Sequence, residues 1–550
     1  MIAKITEKDW FPYFPLGTPR PEQIKAINFA LNAYLVDGKR YVIAECPTGT
    51  GKSAIAVTIS RFLAAVDPPP DDPEAPFGRG SYVLTTQKVL QTQYLNDFKK
   101  FDMESIKSSS NFKCRYYTEQ SCAESLRVLT KLERCMPPGS PFVKQCKGAC
   151  AYKEAKRAFI EAEMGCTNFS YFLAETMYGG ALTPRQLLVC DEAHGIEAEI
   201  SKFIAIKIEP GSENEVVKVA LPSFSGQEDS FAWTRDFYRP ALQKHIAKLT
   251  TKIEKQLLKS DKMSRSLQKA MKENEFLDKQ LCKLNRFIDS YEPRDWVLNQ
   301  QPGTSIEFKP VDVSRHCEWY LFKHAPRVLL LSATILDSNF YCETLGIPTS
   351  QAAFISFDSP FPAENRPIHY MPVGRMSADN IDRTLPAMVE MVKAILEQHK
   401  GEKGVIFAHS YKIVQALKDG IRDKRLLFQN VGNDREKILL EHTVNSGPTV
   451  LVSPSMTEGV DLRDDLSRFQ IFCKIPYPYL GDEWVKRKMS RTPKWTSFIT
   501  ARTMVQAAGR SIRNEKDHAA SYILDGSWEW FYKQNRSMFP EYFRKSLVDG

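Results

Sequence analysis

Short, almost purely apolar runs alternate with longer stretches of mixed character along most of this chain. Residues 41–44, 82–86, 187–190 and 328–331 are rich in aliphatic and β-branched side chains and too short for buried helices. Between them, 53–65 and 87–101 carry helical spacing. This alternation predicts a parallel sheet with helices on both faces. After residue 345 the pattern starts again, with strands at 404–408, 449–452, 469–473 and 521–524. Helices are expected at about 379–399, 411–421, 434–443 and 497–508. The fold class is therefore α/β, with two sheets.

Two stretches interrupt the first pattern. Residues 102–165 are polar and hold Cys114, Cys122, Cys135, Cys146 and Cys150, with Cys166 just beyond. Residues 199–305 contain the helical stretch 244–274, with nine Lys/Arg against three Asp/Glu and an apolar stripe at Leu249, Ile253 and Leu257. It reads either as a solvated hairpin or as a basic wall beside a nucleic-acid channel. The proline-rich residues 68–73 read as a surface loop.

At 550 residues the chain exceeds one core, and about three or four domains are expected. Apolar content of 43% and charged content of 26% are those of a soluble globular protein. No apolar run is long enough for a membrane span, and the N-terminus lacks a secretion-signal core, so an intracellular protein is expected. A net charge of +9 is too modest to name a polyanionic partner by itself.

Two distant segments carry the chemistry. Residues 44–53, Ala-Glu-Cys-Pro-Thr-Gly-Thr-Gly-Lys-Ser, join a strand to a helix, and 187–194, Leu-Leu-Val-Cys-Asp-Glu-Ala-His, end another strand in adjacent carboxylates. Nucleoside-triphosphate hydrolysis needs both. Backbone N–H groups of the turn Pro47, Thr48, Gly49, Thr50, Gly51 and a helix N-terminus suit phosphates, and Lys52 suits the β and γ oxygens. Ser53 and Asp191 suit Mg²⁺, while Glu192 is placed to orient or deprotonate the attacking water. Cys46 replaces the first Gly of the loop pattern, so a less tight turn is expected. Farther on, Gln506, Arg510 and Arg513 fall at i, i+4, i+7, on one face if the helix persists. Guanidiniums suit the charge growing on a transferred phosphoryl group.

In order, Arg20-Pro21-Glu22-Gln23, the Lys52 loop, Asp191-Glu192-Ala193-His194, Ser332-Ala333-Thr334, Ser359-Pro360-Phe361, Val405 to Tyr411, Glu458-Gly459-Val460-Asp461 and Gln506 to Arg513 resemble the superfamily 2 DNA helicases. The resemblance is to the iron–sulfur XPD/DinG family and covers nearly the whole chain. It implies two RecA-like parallel-sheet domains, with an iron–sulfur domain and a helical arch inserted in the first. Helicase domain 1 is then 1–101, 166–198 and 306–344, the cluster domain 102–165, the arch 199–305 and helicase domain 2 345–550. It implies an ATP-dependent helicase, monomeric and cytoplasmic or nucleoid-associated, moving 5′→3′ on single-stranded DNA. Forked or duplex DNA would be unwound in repair, replication or recombination, with an RNA–DNA hybrid as a further partner.

Carried over residue by residue, Gln23 matches the adenine-recognising glutamine, Arg510 and Arg513 the arginine fingers, and Gln506 a γ-phosphate sensor. Gly459 and Asp461 lie where nucleotide state meets the bound strand, His194 with Ser332 and Thr334 links hydrolysis to movement, and Thr85 and Thr86 sit at a DNA-backbone contact. Rival readings are a translocase that strips RNA or protein from DNA and an ATP-gated nucleic-acid scaffold; intact Glu192 and two arginines argue against the scaffold. With only twenty residues ahead of the first motif, no added nuclease domain is expected.

Without a signal peptide, a metal or cluster site is favoured over a disulfide framework for the clustered cysteines. Asn111 to Cys114 and Cys150 to Lys156 resemble the first and last ligand sites of the family's [4Fe–4S] cluster. Cys146, separated from Cys150 by three residues, is the third choice. The fourth lies between Cys122 and Cys135, with Cys122 preferred, and zinc is the rival occupant. Cys166, Cys190, Cys282, Cys317, Cys342 and Cys473 read as structural residues.

Overall fold

The computed structural model describes residues 4–548 apart from 71, 73, 127–140, 210–220, 258–263, 302, 431–434, 456–461, 463 and 513–516. In the first half, strands are β1 (Tyr41–Glu45), β2 (Gly78–Thr85), β3 (Met103–Ser105), β4 (Met164–Asn168) and β5 (Arg185–Asp191). Then come β6 (Ile206–Ile208), β7 (Trp296–Gln301), β8 (Ser305–Pro310), β9 (Arg327–Ser332) and β10 (Ala352–Ser356). Seven of these pair in the order β10-β1-β9-β5-β2-β4-β3, all parallel, while β6, β8 and β7 form a small antiparallel sheet. Every residue of β1 and β5 is buried, which is why they read as unbroken apolar runs rather than alternating ones.

The second half repeats the plan. Strands β11 (Ile368–Gly374), β12 (Gly404–Phe407), β13 (Leu426–Phe428), β14 (Val450–Ser453), β15 (Phe469–Phe472), β16 (Ala520–Asp525) and β17 (Leu547–Val548) pair in the order β13-β14-β12-β15-β16-β11-β17. These pairs are parallel too. Two parallel sheets flanked by helices are the expected α/β architecture.

The borders differ from the sequence-based ones. β3 and β4 belong to the first sheet, so the cysteine insertion lies between Ser105 and Met164 rather than filling 102–165. β10 pairs with β1, so the first sheet continues past residue 344 and the second opens at Ile368. These strands carry weak local signals, and it is pairing within the sheet that fixes them as strands.

The basic stretch forms part of an antiparallel pair of helices, Arg239–Leu257 and Arg265–Asp289. Leu249 and Ile253 of its stripe are buried with Leu267 and Met271 against Phe142 and Cys146 of the cysteine insertion. The side chain of Leu257 lies outside the described residues. The two insertions therefore share an apolar contact.

The halves are joined by polar contacts around the helix Glu483–Arg491. Lys488 meets Glu197 at 2.6 Å and donates to Val311 O at 2.8 Å. Arg491 reaches Asp295 and Asp312 at 2.5 and 3.1 Å, and the Trp484 indole donates to Pro310 O at 2.7 Å.

Candidate active site between two parallel sheets

β1 delivers the chain to the Lys52 loop at its carboxyl end, where parallel sheets place ligands. Gly49 and Gly51 adopt left-handed φ of 87° and 77°, which other residues resist. A Cβ on Gly49 would lie 2.2 Å from the Phe361 ring, and one on Gly51 would lie 2.3 Å from Gln23 Nε2. The helix Lys52–Val66 starts at once, so its N-terminus faces the loop. Arg20 donates to Gly49 O, and Lys52 Nζ rests 3.4 Å from Cys46 O. Cys46 is buried, its N–H donating to Ser332 O at 2.7 Å, and burial pushes its thiol up to about 12.

β5 ends at Asp191, whose Oδ2 accepts from Tyr94 at 3.0 Å and whose Oδ1 accepts from Glu192 N at 3.0 Å. Glu192 turns the chain with φ of 55°, a strained setting for a non-glycine. Burial, then the neighbouring Glu192, hold Asp191 above the usual carboxylate range. Burial also pushes Glu192 up, but Lys52, His194 and Arg510 more than offset it, so its carboxylate stays ionised. That is the state a base or water-orienting group needs. The hydroxyl of Ser53 and the carboxylate of Asp191 are hard oxygen donors, a set that fits Mg²⁺ in donor type.

Residues from both halves meet in one cavity of about 710 Å³, lined by Pro47, Thr48, Glu192, His194, Gln506 and Arg510 among others. His194 Nδ1 lies 2.9 Å from Ser332 Oγ, which accepts from Thr334 N at 3.1 Å. Gln506 Nε2 donates to Thr334 Oγ1 at 2.8 Å, and Arg502 donates to His194 O at 3.0 Å, bridging the sheets.

One expected geometry fails. The helix Lys494–Ala508 stops two residues before Arg510, with Gly509 as its cap, so Gln506 and Arg510 do not share a continuing helix face. Arg510 reaches the cavity from the turn instead. Arg513, Gly459 and Asp461 lie outside the described residues. Gln23 is buried, its Oε1 accepting from Arg20 N at 2.9 Å and its Nε2 lying 3.5 Å from Gly51 O, so here it braces the loop. Thr85 Oγ1 donates to Gln87 O at 3.1 Å, while Thr86 lines the cavity.

Sequence reasoning missed Glu45. Its buried carboxylate accepts from Ile335 N and Leu336 N, both at 2.7 Å, and from Ser356 Oγ at 2.8 Å. It ties the loop strand to the turn that carries Thr334. Tyr94 and Arg502 were missed as well, because their partners come from distant parts of the chain. Arg20 stood within a quoted motif, and its place beside the loop was its available signal.

Cys114, Cys122, Cys146 and Cys150 are all buried and line one small cavity. The Cys150 and Cys122 sulfurs are 4.0 Å apart, and Tyr117 N donates to Cys114 Sγ at 3.3 Å. Burial raises the Cys122 and Cys146 thiols to about 11. An all-sulfur set of four fits an iron–sulfur or zinc group in donor type. Among the described residues, no three His, Cys, Asp or Glu side chains are drawn into a metal-holding group. Cys135 lies outside the described residues.

The comparisons agree with this architecture. Residues 392–546 match the helicase C-terminal domain and residues 16–218 the type III restriction enzyme res subunit. A probable ATP-dependent helicase of Methanocaldococcus jannaschii is 24% identical, over 94% of this chain and 92% of that protein. The ATP-dependent DNA helicase YoaA of Haemophilus influenzae is 21% identical over 92% and 91%. Among solved structures, an XPD helicase superposes with a TM-score of 0.62 at 15% identity, covering 95% of this chain and 99% of that one. Xpd4 of S. tokodaii gives 0.56 at 14%, over 96% and 99%.

Paired parallel sheets with a nucleotide loop on one and an arginine-bearing turn on the other define the core of a superfamily 2 helicase. Within that superfamily, the domain matches and the helicase relatives make the chain similar to the XPD/DinG-like helicases. No described helix is long and apolar enough to cross a membrane.

Proposed function

We propose that the chain is an ATP-driven DNA helicase that moves 5′→3′ along single-stranded DNA and separates forked duplexes. The observation that carries this reading is the shared cavity, where the Lys52 loop and Glu192 of one sheet face Gln506 and Arg510 of the other. Such a site responds to nucleotide by changing how the two halves meet, which is how hydrolysis becomes movement. Lys52 holds the β and γ oxygens, Glu192 accepts the water's proton, and Arg510 meets the charge that develops on the γ-phosphoryl group. Ser53 and Asp191 would hold Mg²⁺, which would neutralise charge on the phosphates. Arg513, Gly459 and Asp461 belong to the same reading through the family's motifs.

The relatives, ATP-dependent DNA helicases among them, support the activity and DNA as the strand. The cysteine cavity supports a [4Fe–4S] cluster on Cys114, Cys122, Cys146 and Cys150, which would hold a short polar domain in shape. The test is fork unwinding with ATP on substrates bearing only a 5′ or only a 3′ single-stranded tail. Unwinding confined to the 5′-tailed fork is expected. ATP hydrolysis stimulated by DNA with no strand separation on either fork would replace this reading with the translocase one.

A further inference from the structure

The first sheet has a second edge, at the amino ends of its strands, and the side chains gathered there are not those of a plain solvated surface. The helix Ile196–Ile204 runs away from the Asp191 end and brings Phe203 there, while Ser314–Tyr320 and the turn Phe322–His324 precede β9 at the same edge. Arg40, just before β1, donates to Phe322 O at 2.9 Å, which fixes that turn beside the start of β1. The edge stands roughly 17 Å from the Lys52 loop, the length of the five residues of β1.

Phe203 and Tyr320 pack edge to face with centroids 5.8 Å apart. Lys323 Nζ stands 3.5 Å over the neighbouring Trp319 ring, and Trp319 is 56% exposed. Lys283 Nζ lies 5.8 Å from the Phe203 ring and donates to Ala205 O at 2.9 Å, without a carboxylate partner among the described residues. Burial lowers Lys283 to about 8, and burial, then the like charge of Arg286, lower Lys323. Crowded cations beside the exposed Trp319 ring and the half-buried Phe203 and Tyr320 cost solvation and repulsion that an anion would relieve. Phosphates satisfy the cations, and unstacked bases satisfy the rings. A duplex offers the phosphates but hides the base faces, so a single strand fits both halves of the patch.

We propose that Trp319, Tyr320 and Phe203 with Lys283, Arg286 and Lys323 form a second contact for single-stranded nucleic acid, on the edge of the first sheet away from the nucleotide cleft. It rests on the reading of the chain as a nucleic-acid motor. A strand that has passed the cleft would be gripped again at this edge, with Trp319 stacking on a base.

The test is fluorescence anisotropy with labelled oligothymidylates of 8 and 30 nucleotides over a salt series, with no nucleotide added. Trp319→Ala combined with Lys323→Gln should leave 8-mer binding and basal ATP hydrolysis within about twofold. Binding of the 30-mer should weaken about fivefold or more, the factor for one lost base stack. The slope of log affinity against log salt should fall by about 0.7 for each phosphate contact removed. Trp319→Phe should restore most 30-mer binding, and 4-thiothymidine in the 30-mer should crosslink to Trp319 or Tyr320. Unchanged 30-mer affinity in the double variant, or crosslinks confined to cleft residues, would overturn the proposal. Competition by polyglutamate as strong as by oligothymidylate would overturn it too, making the patch an acidic-protein surface. Wild-type protein that binds neither oligonucleotide would instead remove the motor reading.

Discussion

Truncating Lys488 should loosen the junction between the two halves more than any other single change there. Its ammonium sits 2.6 Å from Glu197 and 2.8 Å from Val311 O, and the two side chains are only 5% and 15% exposed. Lys488→Ala would strand the Glu197 carboxylate in a dry interface, and breaking a buried pair from one side costs about 3–5 kcal/mol. The flanking Arg491 pairs, with the arginine 30% exposed, are worth only about 0–1 kcal/mol each. Replacing both partners, Lys488→Met with Glu197→Gln, removes the stranded charge and should return most of the loss. Dyes placed on the two halves would follow undocking by energy transfer during a urea titration, which avoids treating a multidomain chain as two-state. Because Gln506 and Arg510 arrive from the second half, ATP turnover should fall in step with undocking. A loss under about 1 kcal/mol for Lys488→Ala, or a double variant as weak as the single one, would refute the reasoning.

Lys52→Ala and Glu192→Gln should each lower DNA-stimulated ATP turnover by about 10²–10³, with Glu192→Gln still binding ATP; wild-type turnover in either would displace the site. Arg510→Ala should lower kcat far more than it raises KM for ATP, because its charge acts on the transition state; a raised KM with kcat unchanged would assign it to ground-state binding. Anaerobically purified protein should be brown with about four irons per chain, and Cys150→Ser should lose iron and strand separation while keeping some ATP hydrolysis; a colourless protein with one zinc would exclude the cluster. Replacing the exposed Lys248, Lys252 and Lys255 with Gln should weaken DNA binding and flatten its salt dependence, whereas an unchanged slope would leave these helices as a solvated pair.

Local pattern alone determined the repeated α/β plan, because buried parallel strands are short, apolar and separated by helical spacing. It also determined the Lys52 loop and the Asp191-Glu192 pair, whose chemistry depends on neighbours in sequence. What it missed depends on distance in the chain. β3, β4 and β10 are fixed as strands by pairing with neighbours that come from distant parts of the chain or from each other. Glu45 read only as one residue of the stretch that leads into the Lys52 loop, yet its carboxylate organises a turn 290 residues away. The stripe of Leu249 and Ile253 announced burial but not its partner, and only folding set it against Phe142 and Cys146. Arg510 shows the limit most plainly. Its spacing from Gln506 suggested a shared helix face, while Gly509 ends the helix and the turn aims the guanidinium. A sequence records which groups can do chemistry; which of them meet is decided by where a chain must stop, turn and pack to bury its apolar surface.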